Sequence, residues 1–355
     1  MRDLVRVLVL GTGQMGSGIA RLVLEKQGLE LVGAYARRRS RAGTDLGRVI
    51  GLDRELGIPI SPDLEAVIAQ IRPHVAIQAT CSRLTDAWPE ISTLVRKGVH
   101  VISIAEEMAY PAAKSPALAA ELHRLAVEHG VAVVGTGINP GFVLDLLVIT
   151  LTGVCSDIRS ITARRVNDLS PYGPSVLASQ GVGLTPEAFR KGVENGAVVG
   201  HFGFPESINM IADALGWEIE RIEESREPIV SQVRRETPFV TVEPGNVAGC
   251  THTAVAYRAG KPVITLIHPQ QVHPHLEGVD TGDSIEIHGT PDVRLAGSPE
   301  IPGGLGTVAL AVNLIPRALD AAPGLHSMAD LPVPAAMLGD ARRSIHGAHW
   351  EYSHG

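Results

Sequence analysis

The residues with the clearest chemical potential are Glu106 and Glu107, two adjacent carboxylates that follow the apolar run from Val99 to Ala105. Carboxylates that close a buried strand are costly unless they bind or exchange something. At such a place a carboxylate can hold a substrate ammonium group, or relay protons while an imine forms or hydrolyses. Glu106 is preferred because it lies nearer the strand; the plain alternative is a helix N-terminal or solvated carboxylate. A second stretch, Gly11-Thr12-Gly13-Gln14-Met15-Gly16, fits G-x-G-x-x-G. Gly11 permits the tight turn, Gly13 lets a pyrophosphate approach the backbone, and Gly16 lets helix and strand pack closely. The N–H groups at the start of the following helix offer donors and a positive dipole end to phosphates.

These groups need a scaffold, and the sequence around them describes one. VRVLVL before Gly11 reads as a strand buried on both faces, and SGIARLVLEKQG after it has the period of a helix. Further apolar runs follow at Leu31 to Ala36, Val75 to Thr80, Val99 to Ala105 and Val131 to Gly135. Helical stretches alternate with them, and residues 42–62 are a Gly-rich connection. This alternation predicts an α/β fold, an N-terminal Rossmann-type parallel sheet with helices on both faces. Ligands in such sheets lie beyond the carboxyl ends of the strands. That selects Ala79, Thr80 and Cys81 after the third long run. It also selects the loop Ile138-Asn139-Pro140-Gly141 after the last, with Asn139 and Pro140 at the cofactor.

The end of the second run decides which dinucleotide is expected. An NAD-specific site usually carries a carboxylate there for the ribose 2′-hydroxyl. This chain has Ala36-Arg37-Arg38-Arg39, with Arg41 just beyond. Guanidinium groups suit a 2′-phosphate, so NADP is favoured over NAD, with Arg37 or Arg38 near the 2′ position.

Beyond about residue 155 the rhythm changes to an α+β second domain with a mostly antiparallel sheet. SITARRVNDL, IERIEESREPIV, PFVTVEP, HTAVAYRAGKPVITLIHP and DSIEIHG read as strands, and TPEAFRKGVENG and FPESINMIADALGW as helices. Ala259-Gly260-Lys261 is a hairpin turn. The expected domains are 1–150 for dinucleotide binding and 151–304 for substrate binding and oligomerisation. A C-terminal helix of about 305–322 returns to the first domain, and 323–355 form an irregular tail. Substrate contacts are expected from Tyr172, Gln180, His201 and Thr307. Arg164, Arg165, Asn167 and Asp168 sit on a strand whose solvated face is the plainer reading. His268, His273 and His275 lack a recognised ligand spacing and stand beside turn-forming prolines, so no metal is expected.

Composition narrows the partners. The 355-residue chain is 45% hydrophobic and 19% charged, with a formal net charge of −7. That describes a globular protein and disfavours nucleic acid or an anionic membrane. No apolar run reaches the length of a membrane span, and a strand begins at once, so no signal peptide is expected. Cys81, Cys155 and Cys250 are widely spaced and form no CxxC, which suggests reduced thiols and a cytoplasmic setting. The exposed sheet face of the second domain suggests a homodimer.

Several stretches together resemble a known family. GTGQMG, SIAEEMAYP, GTGINPGFVLDLL, GHFGFPESI and IPGGLGTVALAVNLIP are similar to segments of the 2,4-diaminopentanoate dehydrogenases and related native amine dehydrogenases. Their N-terminal domain is similar to that of dihydrodipicolinate reductases. The resemblance implies NAD(P)-dependent oxidative deamination of 2,4-diaminopentanoate to 2-amino-4-oxopentanoate and ammonia, a step of ornithine degradation, reversible as reductive amination. It places the acid/base and amine-binding glutamate at Glu106 or Glu107, and the INPG loop beside the nicotinamide. The typical reductase lysine has no counterpart here. Two other readings are an amine dehydrogenase for simple ketones and amines, and a non-catalytic NADP(H) sensor, which would not need the AEE carboxylates.

Overall fold

The computed structural model describes residues 3–346. These form two compact units, residues 3–142 with 302–346 and residues 143–301.

In the first unit, strands β1 (Val5–Leu10), β2 (Leu29–Tyr35), β3 (Ile60–Ser61), β4 (Val75–Gln78), β5 (His100–Ser103) and β6 (Ala132–Gly135) alternate with helices. The helices are α1 (Gln14–Glu25), α2 (Leu46–Val49), α3 (Leu64–Ile71), α4 (Leu84–Arg96) and α5 (Pro116–Glu128). After the second unit the chain returns as α10 (Gly303–Asn313), α11 (Ile315–Asp320) and β15 (Gly324–His326). Among the described residues the sheet has seven strands in the order β15-β6-β5-β4-β1-β2-β3. Every pair is parallel. The residues of β4, β5 and β6 are all buried, as a sheet covered on both faces requires.

Three details differ from the sequence reading. The apolar stretch at 305–322 is two helices, not one, because Pro316 in the first turn of α11 has no N–H for the preceding turn. Within 323–355, Gly324–His326 is a strand beside β6 rather than irregular tail; residues 347–355 of that stretch lie outside the described residues. The Gly-rich connection 42–62 contains α2 and β3, and is pinned by Asp45, whose carboxylate accepts the N–H groups of Gly47, Leu56 and Ile58.

The second unit contains helices α6 (Leu146–Thr152), α7 (Pro174–Ser179), α8 (Pro186–Glu194) and α9 (Phe204–Ala214). Its long strands are β7 (Asp157–Asp168), β8 (Arg221–Val230), β11 (Val247–Arg258), β12 (Lys261–Gln271), β13 (Gly282–Thr290) and β14 (Val293–Gly297). Among the described residues they form a six-stranded sheet in the order β14-β13-β7-β12-β11-β8. β7 and β12 are parallel and the other pairs antiparallel. Ala259 and Gly260, with φ of 51° and 70°, make the two-residue turn between β11 and β12, since two positive φ values match the twist of a hairpin. The expected strand PFVTVEP contracts to β10 (Thr241–Val242), paired with β9 (Arg235–Glu236). Pro238 and Pro244 bracket it and donate nothing to a ladder.

Candidate active site

The glycine loop joins β1 to α1. A Cβ on Gly11 would lie 2.4 Å from the Ala79 carbonyl oxygen, and one on Gly16 would lie 1.9 Å from that of Gly11. These two glycines are packing requirements, and Gly11 also has a φ of 100°. Gly13 differs: a Cβ there would meet nothing within 4 Å. Gly13 is also the N-cap residue of α1, and it makes no side-chain cap bond to the first N–H groups of the helix. An open approach to uncapped helix N–H groups is what a pyrophosphate needs. Thr12, Gln14 and Met15 complete the loop.

The arginines at the end of β2 separate into different situations. Arg37 Nε donates to Glu90 Oε1 at 2.6 Å, and its Nη2 donates to the Asp86 carbonyl at 2.6 Å. Glu90 is buried on α4 and also accepts from Thr80 Oγ1. Gln78 Nε2 donates to Thr80 Oγ1 at 2.7 Å, and Ser103 Oγ donates to Gln78 Oε1 at 2.6 Å. Arg37 and Thr80 therefore belong to one polar network that crosses the ends of β2, β4 and β5. Cys81 lies beside it, with its sulfur 3.6 Å from Arg37 Nη2. Arg38 and Arg39 are exposed. Arg41 Nη1 donates to the Thr12 carbonyl and, at 2.9 Å, to Thr12 Oγ1, so it braces the glycine loop.

Glu106 and Glu107 open a short 3-10 helix after β5. Gly135 makes room for it: a Cβ there would lie 1.6 Å from the Met108 carbonyl oxygen. Glu107 is buried, and its Oε2 accepts the N–H of Leu84, the first residue of α4, at 2.8 Å. This satisfies one of the N–H groups that a helix start leaves unbonded. Glu106 is partly buried. Burial raises its carboxyl above the usual range, the neighbouring Glu107 charge adds to the rise, and bonds from its own backbone and from Ser82 oppose it. A raised carboxyl exchanges protons nearer neutrality than an ordinary one.

After β6, the loop through Asn139 and Pro140 is held by Thr307 of α10, whose Oγ1 accepts the Ile138 N–H at 3.0 Å. Thr307, an expected substrate contact, thus also fixes this loop.

The second unit has a polar centre of its own. Arg165 and Asn167 share one face of β7 and are 2% and 5% exposed, which overturns the solvated-face reading for these two; Arg164, on the other face, is exposed. Arg165 Nη1 donates to Asp283 Oδ1 at 2.6 Å, and its Nη2 donates to the Ile301 carbonyl at 2.5 Å. His268 is buried with its Nε2 3.0 Å from Asn167 Oδ1. Burial first, then the charges of His201, Arg165 and His252, hold His268 well below the usual histidine range, so it is neutral. His201 stacks edge-on to both His268 and Phe204, with ring centroids 4.8 and 4.7 Å away. The His201 N–H donates to His252 Nδ1 at 3.0 Å. That fixes the tautomer whose Nε2–H donates to Glu224 Oε2 at 3.1 Å, and this bond depresses Glu224 to about 2.

Of the other expected substrate contacts, Gln180 is buried and donates from Nε2 to the Gly200 carbonyl at 2.7 Å. It thus positions the turn carrying His201. Tyr172 is half-buried, and burial raises its phenol while the Arg165 charge lowers it. Sequence reasoning missed Glu90, Glu224 and Asp283, each paired with a residue too distant in sequence for any local pattern to report.

Comparisons with known proteins bear on both units. Residues 142–347 match the family model described as 2,4-diaminopentanoate dehydrogenase C-terminal domain, and residues 5–103 match dihydrodipicolinate reductase, N-terminus. The chain is 48% identical over 343 residues to the 2,4-diaminopentanoate dehydrogenase of Acetoanaerobium sticklandii, covering 96% of this chain and 97% of that protein. It is 27% identical over 364 residues to an amine dehydrogenase of Streptomyces virginiae, covering 94% and 98%. The solved structure of an amine dehydrogenase from Mycobacterium smegmatis superposes with a TM-score of 0.81 at 29% identity, covering 92% and 96% of the two chains. With a family model that spans more than half its residues and a relative this similar along almost its whole length, the chain belongs to the 2,4-diaminopentanoate dehydrogenase family and is an oxidoreductase.

Proposed function

We propose that this protein oxidatively deaminates 2,4-diaminopentanoate at C4, consuming water and NADP⁺ or NAD⁺ and releasing 2-amino-4-oxopentanoate, ammonium, a proton and reduced cofactor. The observation that carries this reading is the division between two adjacent carboxylates: Glu107 is bonded to the start of α4, and Glu106 is the one raised by burial.

The N–H groups at the start of α1, approached across Gly13, hold the pyrophosphate. Arg38 meets a 2′-phosphate, since Arg37 is engaged by Glu90, and this favours NADP. The end of β4 at Ala79 to Cys81 and the loop at Asn139 and Pro140 border the nicotinamide. The bound cofactor supplies hydride acceptance. Glu106 binds the C4 ammonium and takes its proton, so that the amine nitrogen pushes as hydride leaves C4. As water adds to the resulting imine, Glu106 passes protons to the departing nitrogen. In the second unit Arg165, Asn167 and His268 form a buried polar set in which Arg165 is paired with Asp283 and His268 is bonded to Asn167.

Purified protein should reduce NADP⁺, and more slowly NAD⁺, with 2,4-diaminopentanoate and not with simple alkylamines. Turnover of alkylamines without the diamine would reassign the chain to simple ketones and amines. No turnover with either would leave a cofactor-binding protein. The three cysteines are unbridged, which supports a reducing, cytoplasmic setting. A homodimer is the proposed assembly, readable by size-exclusion chromatography with light scattering. No helix among the described residues is long and apolar enough to cross a membrane.

A further inference from the structure

A second cluster of ligating groups lies in the second unit, away from the histidines described above. The sequence pairs His273 with His275 in the turn that follows β12. The fold adds Asp168 from the end of β7, 105 residues away. One ligand atom from each of these three side chains lies within 4.8 Å of the other two. The histidine rings pack edge-on with centroids 5.6 Å apart. His268, which the sequence groups with them, is bonded instead to Asn167.

The outer bonds of the cluster already have the form found around bound metals. His273 Nε2 lies 2.7 Å from the Glu236 carbonyl oxygen. Because a carbonyl only accepts, Nε2 carries the proton and Nδ1 presents a lone pair, the arrangement in which a backbone carbonyl orients a ligating histidine. Asp168 Oδ1 accepts from Ser170 N at 2.8 Å, from Ser170 Oγ at 2.5 Å and from His273 N at 3.1 Å. The carboxylate is thereby aimed by its first oxygen. His273 holds a φ of 46°, a left-handed backbone that a side chain rarely adopts. Arg235, whose charge also faces Asp168, pairs with Glu277 and donates to Gln271 Oε1 at 2.8 Å. Glu300 approaches from the other side and accepts the Asp168 N–H at 3.3 Å.

We propose that Asp168, His273 and His275 bind a divalent transition-metal ion of the zinc type, with water completing the shell. Two imidazoles and one carboxylate are the donor set such ions take, at roughly 2.0–2.2 Å per ligand. The three ligand atoms, within 4.8 Å of one another, would close further on the ion, and His275 is the exposed member of the set. The ion ties the turn after β12 to the end of β7, and so steadies the segment that runs from Asp168 to Tyr172.

The test is calorimetric titration of the full-length, chelator-treated protein with zinc chloride, repeated with cobalt(II) and read from its visible absorption bands. The wild type should bind one equivalent. His275→Ala, a surface change whose fold is checked by circular dichroism, should weaken binding at least ~10-fold. His273→Ala/His275→Ala should abolish it. Zinc should raise the melting temperature of the wild type and not that of His275→Ala. Absence of binding, or affinity unchanged in the double variant, overturns the proposal. None of these readouts depends on turnover, so the outcome is independent of the dehydrogenase reading.

Discussion

Glu107 Oε2 and the backbone N–H of Leu84 lie 2.8 Å apart, and that bond assigns different work to two neighbouring carboxylates. Glu107 anchors the start of α4, while Glu106 next to it is raised by burial. Glu106→Gln should lower kcat by a factor of about 10² to 10⁴, the usual worth of a positioned acid/base group, with cofactor affinity intact. Glu107→Gln keeps an oxygen for the Leu84 N–H and should retain near-wild-type kcat. Glu107→Ala removes the bond and should cost about 1 kcal/mol of stability. Steady-state kinetics and urea unfolding on the three variants check this. Near-wild-type turnover in Glu106→Gln would remove that residue from the mechanism.

The pH dependence carries a sign. Oxidation of an ammonium substrate needs ionised Glu106, and ionisation grows as pH rises through its raised pKa. The acid limb of log kcat/KM should therefore lie at higher pH than an ordinary carboxylate would place it. It should disappear in Glu106→Gln. For stability the same shift acts in the other direction. The folded protein binds this proton more tightly than the unfolded chain, so the contribution is present at low pH and is lost as pH rises through the folded value. Urea unfolding across that interval should show the slope reduced in the variant.

Cofactor choice should depend on Arg38 and not on Arg37. Arg38→Ala should raise KM for NADP⁺ by about 10-fold or more, as expected for loss of a charged hydrogen bond, and leave NAD⁺ kinetics unchanged. Arg37→Ala should harm both cofactors alike and lower the melting temperature, because it leaves the buried Glu90 without its cation. A selective loss of NADP⁺ use in Arg37→Ala would reverse the assignment.

The Arg165–Asp283 pair is nearly enclosed, with side chains 2% and 12% exposed. Removing one partner of such a pair strands the other charge. Arg165→Leu should cost about 3 kcal/mol in denaturant unfolding. The double variant Arg165→Leu/Asp283→Leu should recover part of that loss.

The parts of the fold legible in the sequence are those with local signals. The glycine loop follows an apolar strand, strands and helices alternate at a regular spacing, and the AEE carboxylates close a buried run. What could not be read depends on contacts between distant residues. Arg37 looks like a phosphate ligand until Glu90, on a helix 53 residues later, is placed beside it. Arg165 and Asn167 look like a solvated strand face until β13 and the segment at Ile301 supply partners. His273 and His275 carry no ligand pattern until Asp168 is brought to them by the parallel pairing of β7 with β12. The short strand at Gly324–His326 has three residues, too few to show a period. Its existence is settled by the edge of β6 rather than by its own composition.

That last strand has a consequence for how the protein is made. During synthesis β6 leaves the ribosome well before Gly324, with the whole second unit still to come. At about 5–20 residues per second, the edge of β6 waits on the order of ten seconds for its partner. An uncovered edge of apolar strand is a template for pairing with other chains. The nascent protein therefore passes through an interval in which the longer, fully buried β6 is the edge, a place that the three-residue β15 takes in the finished protein, and a chain ending before Gly324 would remain in it.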